Sequence, residues 1–123
     1  MSTRTETITL FTPQSLAKGA SLESENIYLG KCGANTRFEL DLTLMNPGKI
    51  RATQLVANGP NASFFTPSTA DVLASSHLGG ATTASRERYS LNMVGTDWLR
   101  IKLRELNASN VNIRNCALII SRP

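Results

Sequence analysis

The chain has 123 residues, 41% hydrophobic and only 18% charged, with 13 basic residues against 9 acidic ones and a net charge of +4. That length suits one domain and leaves little room for two; a domain of this size hides roughly two-thirds of its unfolded surface, enough for a core without staples. A surface poor in charge and filled by Asn, Ser and Thr argues against long helices, which favour Glu, Lys and Ala, and the mild basic excess is thinner than a dedicated DNA binder carries.

The opening Met1-Ser2-Thr3-Arg4-Thr5-Glu6 has no apolar stretch of the kind a secretory signal needs. No apolar run approaches the roughly 20 residues of a membrane helix. The expectation is a soluble protein made in a cytoplasm, with Met1–Thr5 as a flexible arm. Glu6–Phe11 predicts an opening strand and Ser24–Leu29 another, with Gly30–Asn35 as a loop between elements.

Arg37–Met45 carries the strongest pattern. Phe38, Leu40, Leu42 and Leu44 alternate with Arg37, Glu39, Asp41 and Thr43, which is a strand with one face in the core and one in water. Asn46-Pro47-Gly48 then supplies turn chemistry: proline presets φ and glycine accepts a positive one. The chain resumes at Lys49–Val56, so residues 37–56 read as a β-hairpin. Asn58–Asn61 is turn material, and Ser63–Thr66 reads as a short strand. In Pro67–Ser85, Ser68–Ala74 predicts one capped helical turn and Gly79–Ser85 a long exposed loop.

A second alternating block follows. Arg88–Val94 places Tyr89, Leu91 and Met93 on one face, Gly95-Thr96-Asp97 turns the chain, and Trp98–Arg104 points Leu99, Ile101 and Leu103 inward. Asn107–Asn110 separates this strand from the last, Val111–Ile120, which begins alternating and ends as a continuous apolar run. About seven or eight short strands without a convincing helix predict an all-β antiparallel sandwich or jelly roll over residues 1–123, with one long mid-chain loop.

Chemistry-bearing residues are few. Cys32 and Cys116 form no CxxC and join no Cys/His cluster, so no zinc or other metal is expected. They read either as two buried free thiols or as a disulfide tying the first half to the last strand. His77 is the single histidine, in Ser75–Gly80, where a loop side chain is usually exposed and inert. There is no G-x-S-x-G, no P-loop and no GxGxxG, so neither catalysis nor a bound cofactor is expected. Glu39 and Asp41 share one face of a strand. A carboxylate pair can do acid–base work or hold calcium, but an amphipathic strand needs polar residues on its solvent side in any case. The triplets Asn61-Ala62-Ser63 and Asn107-Ala108-Ser109 fit the glycosylation pattern, and without a signal peptide they read as chance.

The basic stripe offers more. Arg100, Lys102 and Arg104 project from one face of one strand, with Trp98 at its start, and Arg86 and Arg88 lie on the strand before the Gly95 turn. If those strands pair, five cations surround one tryptophan. Such a patch fits an acidic protein partner, a phosphate or a sugar stacked on Trp98. It fits equally a solvated face whose arginines cover apolar surface, with Trp98 turned into the core.

The short chain, its low charge fraction and the finish Gly95-Thr96-Asp97-Trp98-Leu99-Arg100-Ile101-Lys102-Leu103 followed by Val111–Ile120 resemble the small β-sandwich cement, or decoration, proteins of tailed-bacteriophage heads. The resemblance covers most of the chain at the level of pattern and carries over no catalytic residue. It implies homotrimers on the capsid surface that bridge neighbouring subunits of the major capsid protein, in the virion; apart from the resemblance, no membrane partner is expected, and nucleic acid is a less favoured partner. The Trp98-Leu99-Arg100-Ile101 strand also resembles one near the end of discoidin-type domains, which bind sugars or membranes through loops. A carbohydrate-binding sandwich is therefore the main rival, and a nucleic-acid binder using the basic stripe is a third reading.

Overall fold

The computed structural model describes residues 4–30, 35–45, 48–59, 61, 63–67, 77–79, 85–91, 96–106 and 110–122, and among these no helix occurs. They form ten strands: β1 (Arg4–Phe11), β2 (Gln14–Leu16), β3 (Ser21–Glu23), β4 (Ile27–Tyr28), β5 (Arg37–Met45), β6 (Gly48–Ala57), β7 (His77–Gly79), β8 (Ser85–Ser90), β9 (Trp98–Glu105) and β10 (Val111–Arg122). The first sheet has the order β1-β10-β5-β8, with β2 also on β10; the second has the order β3-β9-β6-β7, with β4 also on β9. All the named pairings are antiparallel.

β1 and β2 are one edge broken at Thr12-Pro13, where proline has no N–H for a ladder. β3 and β4 are one edge interrupted at Ser24, whose N–H donates to the Ile101 carbonyl and whose Oγ accepts from Ile101 N–H, both at 2.9 Å. Taking each broken edge as one strand leaves eight, four to a sheet. Every connection except β6 to β7 then passes from one sheet to the other, which is the order of a jelly roll.

The core fills the space between the sheets. Leu40, Leu42, Leu44, Ile113, Leu118 and Ile120 face it from the first sheet, and Ile50, Ala52, Leu99, Ile101 and Leu103 from the second; all are at most 1% exposed. Each such Leu or Ile contributes about 1.5–3 kcal/mol relative to exposure. Gln54 and Glu105 are also buried on inward positions.

Most predicted strands are present, the one expected over Arg88–Val94 as Ser85–Ser90 among the described residues, but two expected neighbourhoods are not. β5 and β6 do not form a hairpin: β5 pairs with β10 and β8, whereas β6 pairs with β9 and β7 in the other sheet. Alternation reports which face of a strand is buried, and both faces of β5 are, since Asp41 and Thr43 on its outer side are buried too. β5 is therefore a central strand that needs a neighbour on each side. Likewise β8 and β9 lie in different sheets.

Smaller differences follow. Arg4 and Thr5, expected in an arm, are paired with Arg122 and Ser121, while Met1–Thr3 lie outside the described residues. Ser24–Leu29 keeps only the short β4, and Ser63–Thr66 contributes one bridge, Val56 to Phe65. The mid-chain loop contains β7, so His77 is a strand residue whose backbone pairs with Ile50. The helical turn at Ser68–Ala74, the Asn46-Pro47 corner, most of the Gly79–Ser85 loop, Met93, Gly95 and Cys32 fall outside the described residues.

Candidate interaction surface

On β9 the inward side chains are Leu99, Ile101, Leu103 and Glu105, so Trp98, Arg100, Lys102 and Arg104 stand on the outer face of the second sheet. Register supplies their neighbours. Trp98 lies between Tyr28 and Ala57, Arg100 beside Leu55, Lys102 between Glu23 and Thr53, and Arg104 between Ser21 and Arg51. Lys49, two residues before Arg51, extends the row on β6 and is exposed.

One end of this face is aromatic. The rings of Tyr28 and Trp98 are 5.0 Å apart and tilted by 46°. Trp98 is half-buried, whereas Tyr28 is 62% exposed. Gly30, at φ +62°, runs under the tyrosine: a Cβ there would be 3.4 Å from the ring. Thr96 Oγ1 lies 3.0 Å from the carbonyls of both Ala57 and Trp98, which ties the start of β9 to the end of β6.

Arg100 links the aromatic end to the cations. Its Nε donates to Asn26 Oδ1 at 2.7 Å, a guanidinium nitrogen lies 3.7 Å from Glu23 Oε1, and the group sits 4.1 Å over the Phe64 ring. These three contacts hold it flat on the surface. Beyond it the face is basic: Lys102, Arg104, Arg51 and Lys49, with Arg51 and Arg104 directly opposite on paired strands.

Arg86 and Arg88 do not join this patch. They stand on β8 of the first sheet, where Arg86 Nε and Nη2 donate to Asp41 Oδ1 and Oδ2 at 3.1 and 2.7 Å and Arg88 lies 3.8 Å from Oδ2. The expected patch of five cations is thus two clusters on different sheets, because the strands that carry them do not pair. Asp41 is on the outer side of its strand, as expected, but is not open to solvent. Its side chain is 7% exposed. The hydrogen bond from Arg86 is the largest influence on its carboxyl and holds it below the usual 3.8, against a smaller opposing effect of burial. A carboxylate so neutralised is poorly placed to act with Glu39 as an acid–base pair. Cys116 is a free thiol inside the core, pushed up to about 12, chiefly by burial.

A groove of about 450 Å³ opens between Ile8–Gln14 and Ser24–Ile27. Thr9, Thr12, Gln14, Glu25 and Asn26 give it a polar rim over apolar Leu10. Tyr28, Arg51 and Phe64 were not singled out by sequence reasoning. Each becomes part of the surface only through cross-strand register or a loop contact, and no local pattern signals either.

No protein-family model matches the chain, and no curated protein matches it in sequence. Solved structures do share its fold. It superposes on a chain of infectious bursal disease virus, Gx strain, with a TM-score of 0.62 at 12% identity, covering 98% of this chain and 32% of that one. The VP2 subviral particle of the same virus gives 0.61 at 11%, covering 98% and 33%. The CBM36-1 domain of a multidomain xylanase from the hindgut metagenome of Trinervitermes trinervoides gives 0.50 at 12%, covering 95% and 96%. The chain spans about a third of the length of the viral chains it matches. At such identities the likeness is one of fold: a β-sandwich shared with virus-particle chains and with a CBM36-1 domain.

Proposed function

We propose that the chain is a structural protein of a virus particle that works by binding, without catalysis. In the finer form of this reading it sits on the outside of a bacteriophage capsid as a homotrimer and cements neighbouring subunits of the major capsid protein. The observation that carries the proposal is the jelly roll itself, which superposes on a virus-particle chain with 98% of this chain covered. A cement needs a rigid frame and surface facing several neighbours, and repeated weak contacts then add through avidity. Density-gradient fractionation with mass spectrometry of each band tests it. The chain should travel with intact particles at a copy number comparable to the shell protein; recovery in the soluble fraction alone would remove the reading. Light scattering of the isolated protein should give three times the monomer mass.

The second reading is a carbohydrate-binding module. The exposed Tyr28 beside Trp98, next to a groove rimmed by hydroxyl, amide and carboxylate groups, favours it, as does the CBM36-1 likeness. Trp98→Ala should then abolish glycan binding while leaving the fold intact.

A further inference from the structure

We infer that the groove between the two broken sheet edges is a binding site for a neutral saccharide, with the ring of Tyr28 as a platform at its lip. The inference rests on the carbohydrate-binding reading above and adds the contact residues and the class of sugar.

The groove exists because both edges are interrupted where they face each other. One breaks at Thr12-Pro13 and the other at Ser24, and the space of about 450 Å³ opens between these breaks. That volume lies within the roughly 300–1,000 Å³ of small-molecule sites. Beyond Ile27 the edges are bridged by Arg122, whose guanidinium lies 3.0 Å from Glu6 Oε1 and 3.5 Å from the Leu29 carbonyl. An extended peptide would need an unbroken row of edge N–H and C=O groups to pair with. Interrupted edges do not supply one here; they present side chains instead.

Those side chains suit hydroxyl groups. A sugar hydroxyl both donates and accepts, so its site needs donors and acceptors side by side. Glu25 is exposed, and its carboxylate accepts. Asn26 gives its Oδ1 to Arg100 Nε at 2.7 Å; a guanidinium only donates, so the Nδ2 hydrogens are left for a ligand. Gln14 is turned the other way: its Nε2 donates to the Thr12 carbonyl at 3.1 Å, which leaves Oε1 to accept. The exposed hydroxyls of Thr9 and Thr12 serve in either sense.

Tyr28 supplies the apolar half. It is 62% exposed and yet held, with its ring 5.0 Å from that of Trp98 and with Gly30 beneath it, where a Cβ would come within 3.4 Å. A ring fixed in this way loses little freedom on meeting a ligand, and its electron-rich face suits the C–H groups of a pyranose. Charge selects the class of sugar. The described lining residues include one carboxylate, Glu25, and no Lys or Arg. A uronate, sulfate or phosphate would be repelled there, whereas neutral hydroxyls are not.

The test is isothermal titration calorimetry of the full-length protein with neutral hexasaccharides of glucose, xylose, mannose and galactose, and with hexagalacturonic acid. At least one neutral sugar should bind and the acidic one should not. Tyr28→Ala should lose roughly tenfold in affinity for that sugar. Asn26→Asp keeps an oxygen for Arg100 and removes the amide hydrogens, so it should melt as wild type does yet bind several-fold more weakly. Phe65→Ala is the control: Phe65 is 56% exposed and lies across β6 from β9, and its loss should leave binding unchanged. If a neutral sugar binds and both groove variants bind it as tightly as wild type, the site is wrong while the carbohydrate reading stands. If none of the sugars binds, the carbohydrate reading fails and the inference falls with it. If hexagalacturonic acid binds more tightly than every neutral sugar, the class of sugar is wrong.

Discussion

On β5, Asp41 stands two residues from Glu39 on the side away from the core, yet its side chain is only 7% exposed. Arg86 closes over it with two hydrogen bonds, although that guanidinium is itself 66% exposed. Screening by water limits the worth of the pair, since its guanidinium half stands open to solvent. The carboxyl is held below its ordinary 3.8 in the folded state, so its contribution is full above that value and is lost as pH falls through the lower folded one. Asp41→Asn should therefore unfold at lower denaturant concentration than wild type at pH 7, with the gap closing in acid. A gap that persisted at the acid end would show that the ion pair is not its cause. Alternation in the sequence placed Asp41 on the outer side of its strand, and the structure agrees. What pattern could not supply was Arg86, 45 residues away, because the partner follows from which strands become neighbours.

At the scale of elements, individual strands were legible and their pairing was not. Leu40, Leu42 and Leu44 on β5 and Leu99, Ile101 and Leu103 on β9 are all buried as their period-two spacing predicts. The Asn46-Pro47-Gly48 signal pointed to a hairpin, but a chain reversal between two inward-facing strands serves equally to cross a sandwich. The candidate surface inherited that gap: Trp98, Arg100, Lys102 and Arg104 are together because they share a strand, while Arg86 and Arg88 are elsewhere. Glu105 shows a buried polar group at work between elements. Its Oε2 accepts from Gly19 N–H at 2.7 Å and its own N–H donates to the Ala20 carbonyl at 3.0 Å, which pins the turn between β2 and β3 to the end of β9. Lys18 N–H adds a bond to Asn110 Oδ1 at 3.0 Å. Glu105→Ala removes an acceptor from a part-buried donor and should cost about 1–3 kcal/mol. Hydrogen exchange should locate the effect, with the Gly19 amide losing protection and the Leu118 amide in the core strand following only the global loss. Unchanged exchange at Gly19 would mean the turn holds without the carboxylate.

Over the whole molecule, the connections decide how the sandwich can open. Each passage between sheets ties the opening of one to that of the other, so neither is expected to peel away alone. Cys116 reports on this directly. It lies on β10, between β1 and β5, opposite Phe11 on one side and Leu42 on the other, and it is 0% exposed. With its thiol pushed up to about 12, it stays protonated in the folded protein at the pH of ordinary labelling reactions. The chain has two cysteines, so the measurement is made in Cys32→Ser. An aromatic disulfide reagent should then modify Cys116 at a rate set by the population of opened molecules, slower than in the unfolded chain by a factor of about 10³ or more for a domain of ordinary stability. Its logarithm should rise with denaturant along the slope of global unfolding. A shallow slope would instead mean that β1, an edge strand broken at Thr12-Pro13, detaches by itself and uncovers the thiol. Such an edge would expose unpaired backbone on β10, a ready template for strands of neighbouring chains. A steep slope is what a cement requires, since a frame that loosens at one edge transmits no load between the subunits it bridges.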